Sequence, residues 1–345
     1  MKTGIDPARD SVSGGLRAPP RALVAWACLI LAACGGTSEE GPGPAEGGSD
    51  IEAVVTPDAT VTDSLAVGAL NDDLVPAQLT ADVGIYLLDT TSPRYVERMS
   101  PDEVLRRFGV AKEIFAGVGV QLRLRFVRFV RLTPEVLEIP ANVMAGEPGG
   151  RVDGLYDKSR QQRSTLSPQA EAVFEAIIEP DSLNDRTVYL VGMEDVLMAW
   201  FRQEDDGSWT LQSDPTNALS FPSYTLEDRI PRRLRGVITI QNIFHTQKIV
   251  AHEIGHKLIN VSHEYRDIAP EHEVQAEGGL MVYGEGTEIP AGAEGRWHLE
   301  RLLRSPYLYR IGPDGRRQYN PDYRESGHYA DPIYADSIVG SLVVR

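Results

Sequence analysis

The stretch His252 to His263, HEIGHKLINVSH, constrains this chain more than any other. It contains the pattern HExxH. On an α-helix the i, i+4 spacing sets His252 and His256 one above the other on one face, where both imidazoles can reach one cation. Glu253 then stands beside that cation without having to bind it. Two neutral nitrogen ligands, a divalent ion that lowers the pKa of a water, and an adjacent carboxylate to take the proton are the parts that metal-assisted hydrolysis requires. A carboxylate facing inward beside two histidines has little other purpose, because an unpaired buried charge is costly.

Charge and length narrow the setting. In 345 residues there are 34 Lys and Arg against 50 Asp and Glu, a formal net charge of −16. Nucleic acid and anionic membrane surfaces both reward positive charge, so neither fits as a partner. The two cysteines, Cys28 and Cys34, both lie near the N-terminus. Residues 22–33, ALVAWACLILAA, form an apolar run too short for a transmembrane helix and preceded by scattered positive charge, which reads as a signal peptide. Its end, Leu31-Ala32-Ala33-Cys34-Gly35, resembles the bacterial lipobox, which implies cleavage before Cys34 and lipidation of that residue. Gly35, where Asp would favour the inner membrane, tilts the expected location toward the outer membrane or cell surface. Processing of this kind leaves no thiol in the mature chain, so its metal ligands must be His or carboxylate.

The organisation expected along the chain is a signal peptide over 1–33, a flexible acidic tether and leader over 34–78, a subdomain with the sheet and motif helix over 79–263, and a smaller loop-rich subdomain over 264–345. Order is expected from Ala81. Residues 82–88 read as a buried strand. Ser100-Pro101-Asp102-Glu103 is a helix start with a capping box, and 120–126 alternates as a half-buried strand. Strand, helix and strand of these lengths imply a parallel pair. A second helix is expected from Ser167-Pro168, with further strands at 187–191, 196–201, 209–211 and 236–241. The motif helix is expected to start near Phe244 or Thr246. A helix over 292–304 follows, and residues 140–166 and the last forty read as irregular. The fold class is mixed α+β.

The surroundings of the motif resemble the metzincin clan of zinc metallopeptidases, whose signature is HExxHxxGxxH followed by a Met-containing turn. His252, Glu253 and His256 stand in their places, and Leu280-Met281-Val282-Tyr283 matches the turn. The resemblance implies a twisted sheet with an active-site helix, a zinc ion, a peptide or protein substrate, and Met281 packed beneath the metal. The departure is one residue. Ile259 holds the family's Gly position, and the next histidine, His263, comes one place late. With Asn260 making the turn, His263 is the third ligand, since Asn tolerates the left-handed conformation better than other non-glycine residues. With Ser262 aligned instead, the third ligand comes from Asp267, Glu271, His272 or Glu277, as in peptidases that take a downstream carboxylate. Tyr283, two residues after Met281, is a candidate donor to the oxyanion. A further reading from another class is a surface lipoprotein that keeps the fold as a binding module without turnover. His245 lies two turns from His252, too far to join the site. His298 reads as a core residue.

Overall fold

The computed structural model describes residues 53–93, 95, 100–145, 163–204, 206–221, 230–241, 246–261, 279–281, 286–292, 295 and 297–322. All of them fall in one compact unit. Among these residues no helix is long and apolar enough to cross a membrane.

The first crossover forms as its sequence dictates. Strand β1 spans Asp58–Leu65, and Leu79–Leu88 is strand β2, buried at every position. Helix α1 follows at Pro101–Ala116: the Ser100 side chain accepts from the Glu103 backbone N–H, and Pro101 sits where no helical donor is needed. Val104, Phe108, Ala111 and Phe115 form its buried stripe. Gly119, at φ 81, turns the chain into β3, Val120–Thr133, which pairs with β2 in parallel. Helix α2, Pro168–Ile177, repeats the device with Ser167 as its cap. It leads to β7, Thr187–Gly192, parallel to β2, and β11, Val237–Ile240, is parallel to β7 in turn. A short strand β10, Ala218–Ser220, closes that side antiparallel to β11.

The strand order from one side to the other is β1, β3, β2, β7, β11, β10. The architecture is a mixed α+β fold with a twisted mixed sheet and few helices. Two smaller sheets accompany this one among the described residues. β4, Glu138–Pro140, pairs with β8, Asp195–Gln203, whose hairpin partner is β9, Trp209–Pro215, as the Asp206-Gly207 turn suggests. β5, Asn142–Ala145, pairs with β6, Arg163–Leu166, so both ends of the expected 140–166 loop are strands.

Three sequence expectations need correction. Within the stretch read as tether and leader, Asp58–Leu65 forms β1, antiparallel to β3. Only Ala59 and Leu65 are half-buried there, so backbone pairing at a sheet edge, which leaves no hydrophobic period, is what holds it. The expected helix over 292–304 shrinks to α4, His298–Leu303, because Gly292 and Trp297 both adopt positive φ (71° and 59°) ahead of it. The tail is regular in part. β12, Leu308–Ile311, and β13, Arg317–Tyr319, form a hairpin whose Pro313-Asp314-Gly315 turn places Gly315 at φ 76. Strand β12 pairs with Thr80 and Ala81, on the edge of β2 just ahead of the point where β7 begins.

That hairpin is locked by charge. Asp82 is fully buried, the Tyr309 hydroxyl donates to its Oδ1 at 2.8 Å, and Arg317 Nη1 lies 2.7 Å from Oδ2. Arg123 and Arg125 approach the same carboxylate at 3.7 and 3.9 Å. Burial first, and then the neighbouring Asp82 charge, push the Tyr309 phenol up to about 12.

Candidate metal centre

Strand β11 runs into the motif. Helix α3 spans Ile249–Ile259, and every residue from Val250 to Ile259 is buried. Its start is held from α1: Arg107, paired with Glu103 at 2.8 Å, donates to the Thr246 carbonyl, and Arg106 donates to the Gln247 side chain. The first helical turn therefore begins later than Phe244 or Thr246. Residues 242–245, His245 among them, lie outside the described residues.

His252, Glu253 and His256 come together as the spacing requires. One donor atom from each lies within 4.8 Å of the others, and all three side chains are buried. The imidazoles meet edge to face, with centroids 4.7 Å apart. Each Nδ1 lies 2.7 Å from a backbone carbonyl, His252 against Leu280 and His256 against Val261. A carbonyl only accepts, so Nδ1 carries the proton and Nε2 the lone pair in both rings. This is how metal-binding histidines are oriented.

Electrostatics agree with the geometry. Burial pulls the His252 imidazole down to about 4, with the Leu280 carbonyl opposing and the Lys248 charge assisting. Burial also holds His256 well below its usual range, helped by His252, Lys257 and His298. Both rings are thus neutral at pH 7, the state a metal ligand must have. Burial pushes the Glu253 carboxyl up to about 8, partly offset by Lys257. Its Oε2 is buried with no hydrogen-bond partner among the described residues. A divalent cation would supply the missing charge. Two neutral imidazoles beside a carboxylate are a donor set suited to zinc, which needs one more protein ligand to complete a catalytic site.

Asn260 takes the left-handed conformation, φ 57 and ψ 52, and ends the helix. Met281 is fully buried, and a Cβ built on Gly255 would lie 2.6 Å from its Sδ. Glycine inside HEIGH is what lets the Met281 thioether reach the helix between the two histidines.

No family model and no curated protein sequence matches the chain. A solved structure to which the chain is distantly similar is metalloproteinase-II from Bacteroides fragilis, 11% identical in sequence, with a TM-score of 0.35. The match covers 67% of this chain and 55% of that one, so it spans little more than half of the neighbour's length.

Of the remaining sequence candidates, His263, Tyr283 and Cys34 lie outside the described residues, as do Asp267, Glu271, His272 and Glu277. His298 is buried on α4, near enough for its charge to act on His256. Two residues were not anticipated. Lys248 and Lys257 are both about as buried as the histidines. Lys248 Nζ donates to the Gly279 and Leu280 carbonyls at 3.2 and 3.1 Å, and Lys257 Nζ donates to the Phe221 carbonyl just beyond β10. Their spacing was the available signal: Lys248 is one turn before His252, and Lys257 one turn after Glu253.

Proposed function

We propose that the chain is a zinc-dependent metallopeptidase that hydrolyses peptide bonds. The observation that carries this reading is the buried trio His252, Glu253 and His256, with both rings held by backbone carbonyls and Glu253 Oε2 without a partner among the described residues. His252 and His256 would hold the zinc. His263 is the third ligand in this reading, supported by the left-handed turn at Asn260 three residues before it. When bound, zinc supplies a Lewis acid that activates water and polarises the scissile carbonyl. Glu253 accepts the proton of the attacking water at its carboxylate and returns it to the leaving amine. Burial of the site excludes bulk water, which strengthens each of these interactions. The Tyr283 hydroxyl is assigned to donate to the developing oxyanion.

The substrate is a peptide or protein in extended form. β10 is the last strand of the main sheet among the described residues, and Lys257 ties the residue after it to the motif helix. Pairing along that edge would bring a peptide backbone beside the helix. In this reading Cys34 carries the lipid that anchors the chain in the bacterial cell envelope, at the outer membrane or cell surface. The net charge of −16 argues against nucleic acid as a partner.

The test is hydrolysis of a peptide library by the purified chain. Cleavage should stop on chelation and return on adding one equivalent of zinc. Cleavage indifferent to chelation would reject the metal mechanism.

A further inference from the structure

Three independent contacts converge on the tripeptide Gly279-Leu280-Met281. The Met281 side chain fills the space beside Gly255. The Leu280 carbonyl accepts from His252 Nδ1 at 2.7 Å. The third contact is Lys248, whose ammonium donates to the carbonyls of both Gly279 and Leu280. One carbonyl oxygen, that of Leu280, therefore serves an inward-facing imidazole and a buried cation together. The lysine and the histidine also share a helical turn, since the His252 backbone N–H donates to the Lys248 carbonyl at 2.8 Å.

Lys248 is only 3% exposed, and stripping water from an ammonium is expensive. A methionine there would fill much the same volume at no such cost. What lysine adds is charge and three donors, which serve the adjacent carbonyls of Gly279 and Leu280. Charge-assisted hydrogen bonds of this kind are about twice as strong as neutral ones. From the other side, the Leu280 N–H donates to the Glu288 carbonyl at 2.7 Å. Leu280, whose carbonyl orients His252, is thus held through both its N–H and its C=O.

We infer that Lys248 is a positioning residue for the metal centre. Its ammonium fixes the Leu280 carbonyl, and through it holds the His252 ring in the orientation and tautomer that presents Nε2 to a cation. The inference rests on the reading of His252 as a ligand and adds to it a residue that touches neither metal nor substrate. Removing such outer partners costs metal affinity ten- to a hundredfold.

The experiment compares zinc dissociation constants, by chelator competition, for the full chain and for Lys248→Met, Lys248→Arg and Arg317→Met. Lys248→Met should bind zinc about 10- to 100-fold more weakly, and Lys248→Arg, which keeps the donors, should recover most of the loss. Arg317→Met also removes a partly buried cation, but from the Asp82 lock, and should leave zinc affinity unchanged. In the metal-free protein, ¹⁵N spectra of the histidine rings should show a fixed Nδ1–H tautomer for His252 in the wild type and an averaged one in Lys248→Met. Wild-type zinc affinity in Lys248→Met would overturn the inference. If that variant does not fold, Lys248→Gln is measured in its place by the same criterion. If the wild type binds no zinc, the metallopeptidase reading fails separately. The tautomer comparison then decides the role of Lys248, an unchanged His252 signal counting against it.

Discussion

Glu253→Ala should lower kcat for peptide hydrolysis by about 10³-fold or more while leaving zinc content unchanged. The carboxylate sits next to a candidate ligand in sequence, is buried, and has an oxygen without a hydrogen-bond partner among the described residues. Its expected work is proton transfer, made in the transition state and not in substrate binding, so kcat and kcat/KM should fall together with KM little changed. Activity within tenfold of the wild type would place the base elsewhere. Loss of zinc along with activity would mean that Glu253 is itself a ligand.

Asp82→Ala should destabilise the fold by about 3 kcal/mol, read as a lower urea midpoint at unchanged m-value. The carboxylate is fully buried and takes a hydrogen bond from Tyr309 and an ion pair from Arg317, with Arg123 and Arg125 close by. Removing it leaves three guanidinium groups crowded around a void, and breaking one side of a buried pair costs more than the pair was worth. The loss should fall on the C-terminal hairpin first, because Tyr309 of β12 and Arg317 of β13 add these side-chain contacts to the short backbone pairing of β12 with β2. A midpoint within 0.5 kcal/mol of the wild type would show that the hairpin is held by its aromatic packing instead.

What the sequence made legible follows local rules. Ser100 and Ser167 both cap helices because a Ser-Pro pair with an acidic or polar residue behind it can do little else. The central strands were readable from their apolar character, and HExxH from its spacing. Asn260 was legible for a subtler reason: a single extra residue before His263 needed a turn, and only Asn stood where a left-handed residue was required.

What escaped depends on tertiary partners. β1 is mostly exposed and is held by backbone pairing with β3, which leaves no trace in hydrophobic period. The C-terminal hairpin turns on a Pro-Asp-Gly sequence set within a tail rich in Tyr and Gly, where no hydrophobic period marks its strands. The helix over 292–304 reads as continuous until Trp297 is seen in a left-handed conformation, which no propensity for Trp would suggest. Lys248 and Lys257 look like solvated ends of a helix. They are buried because carbonyls of the Gly279-Leu280 turn and of Phe221 wait for them, and those acceptors are distant in sequence.

The central claim is that His252 and His256 hold a metal ion, and elemental analysis of the purified chain tests it most directly. One zinc per chain is predicted, falling to near zero in both His252→Ala and His256→Ala while circular dichroism shows each variant folded. A wild-type chain reconstituted with zinc and then freed of excess that retains none would contradict the account.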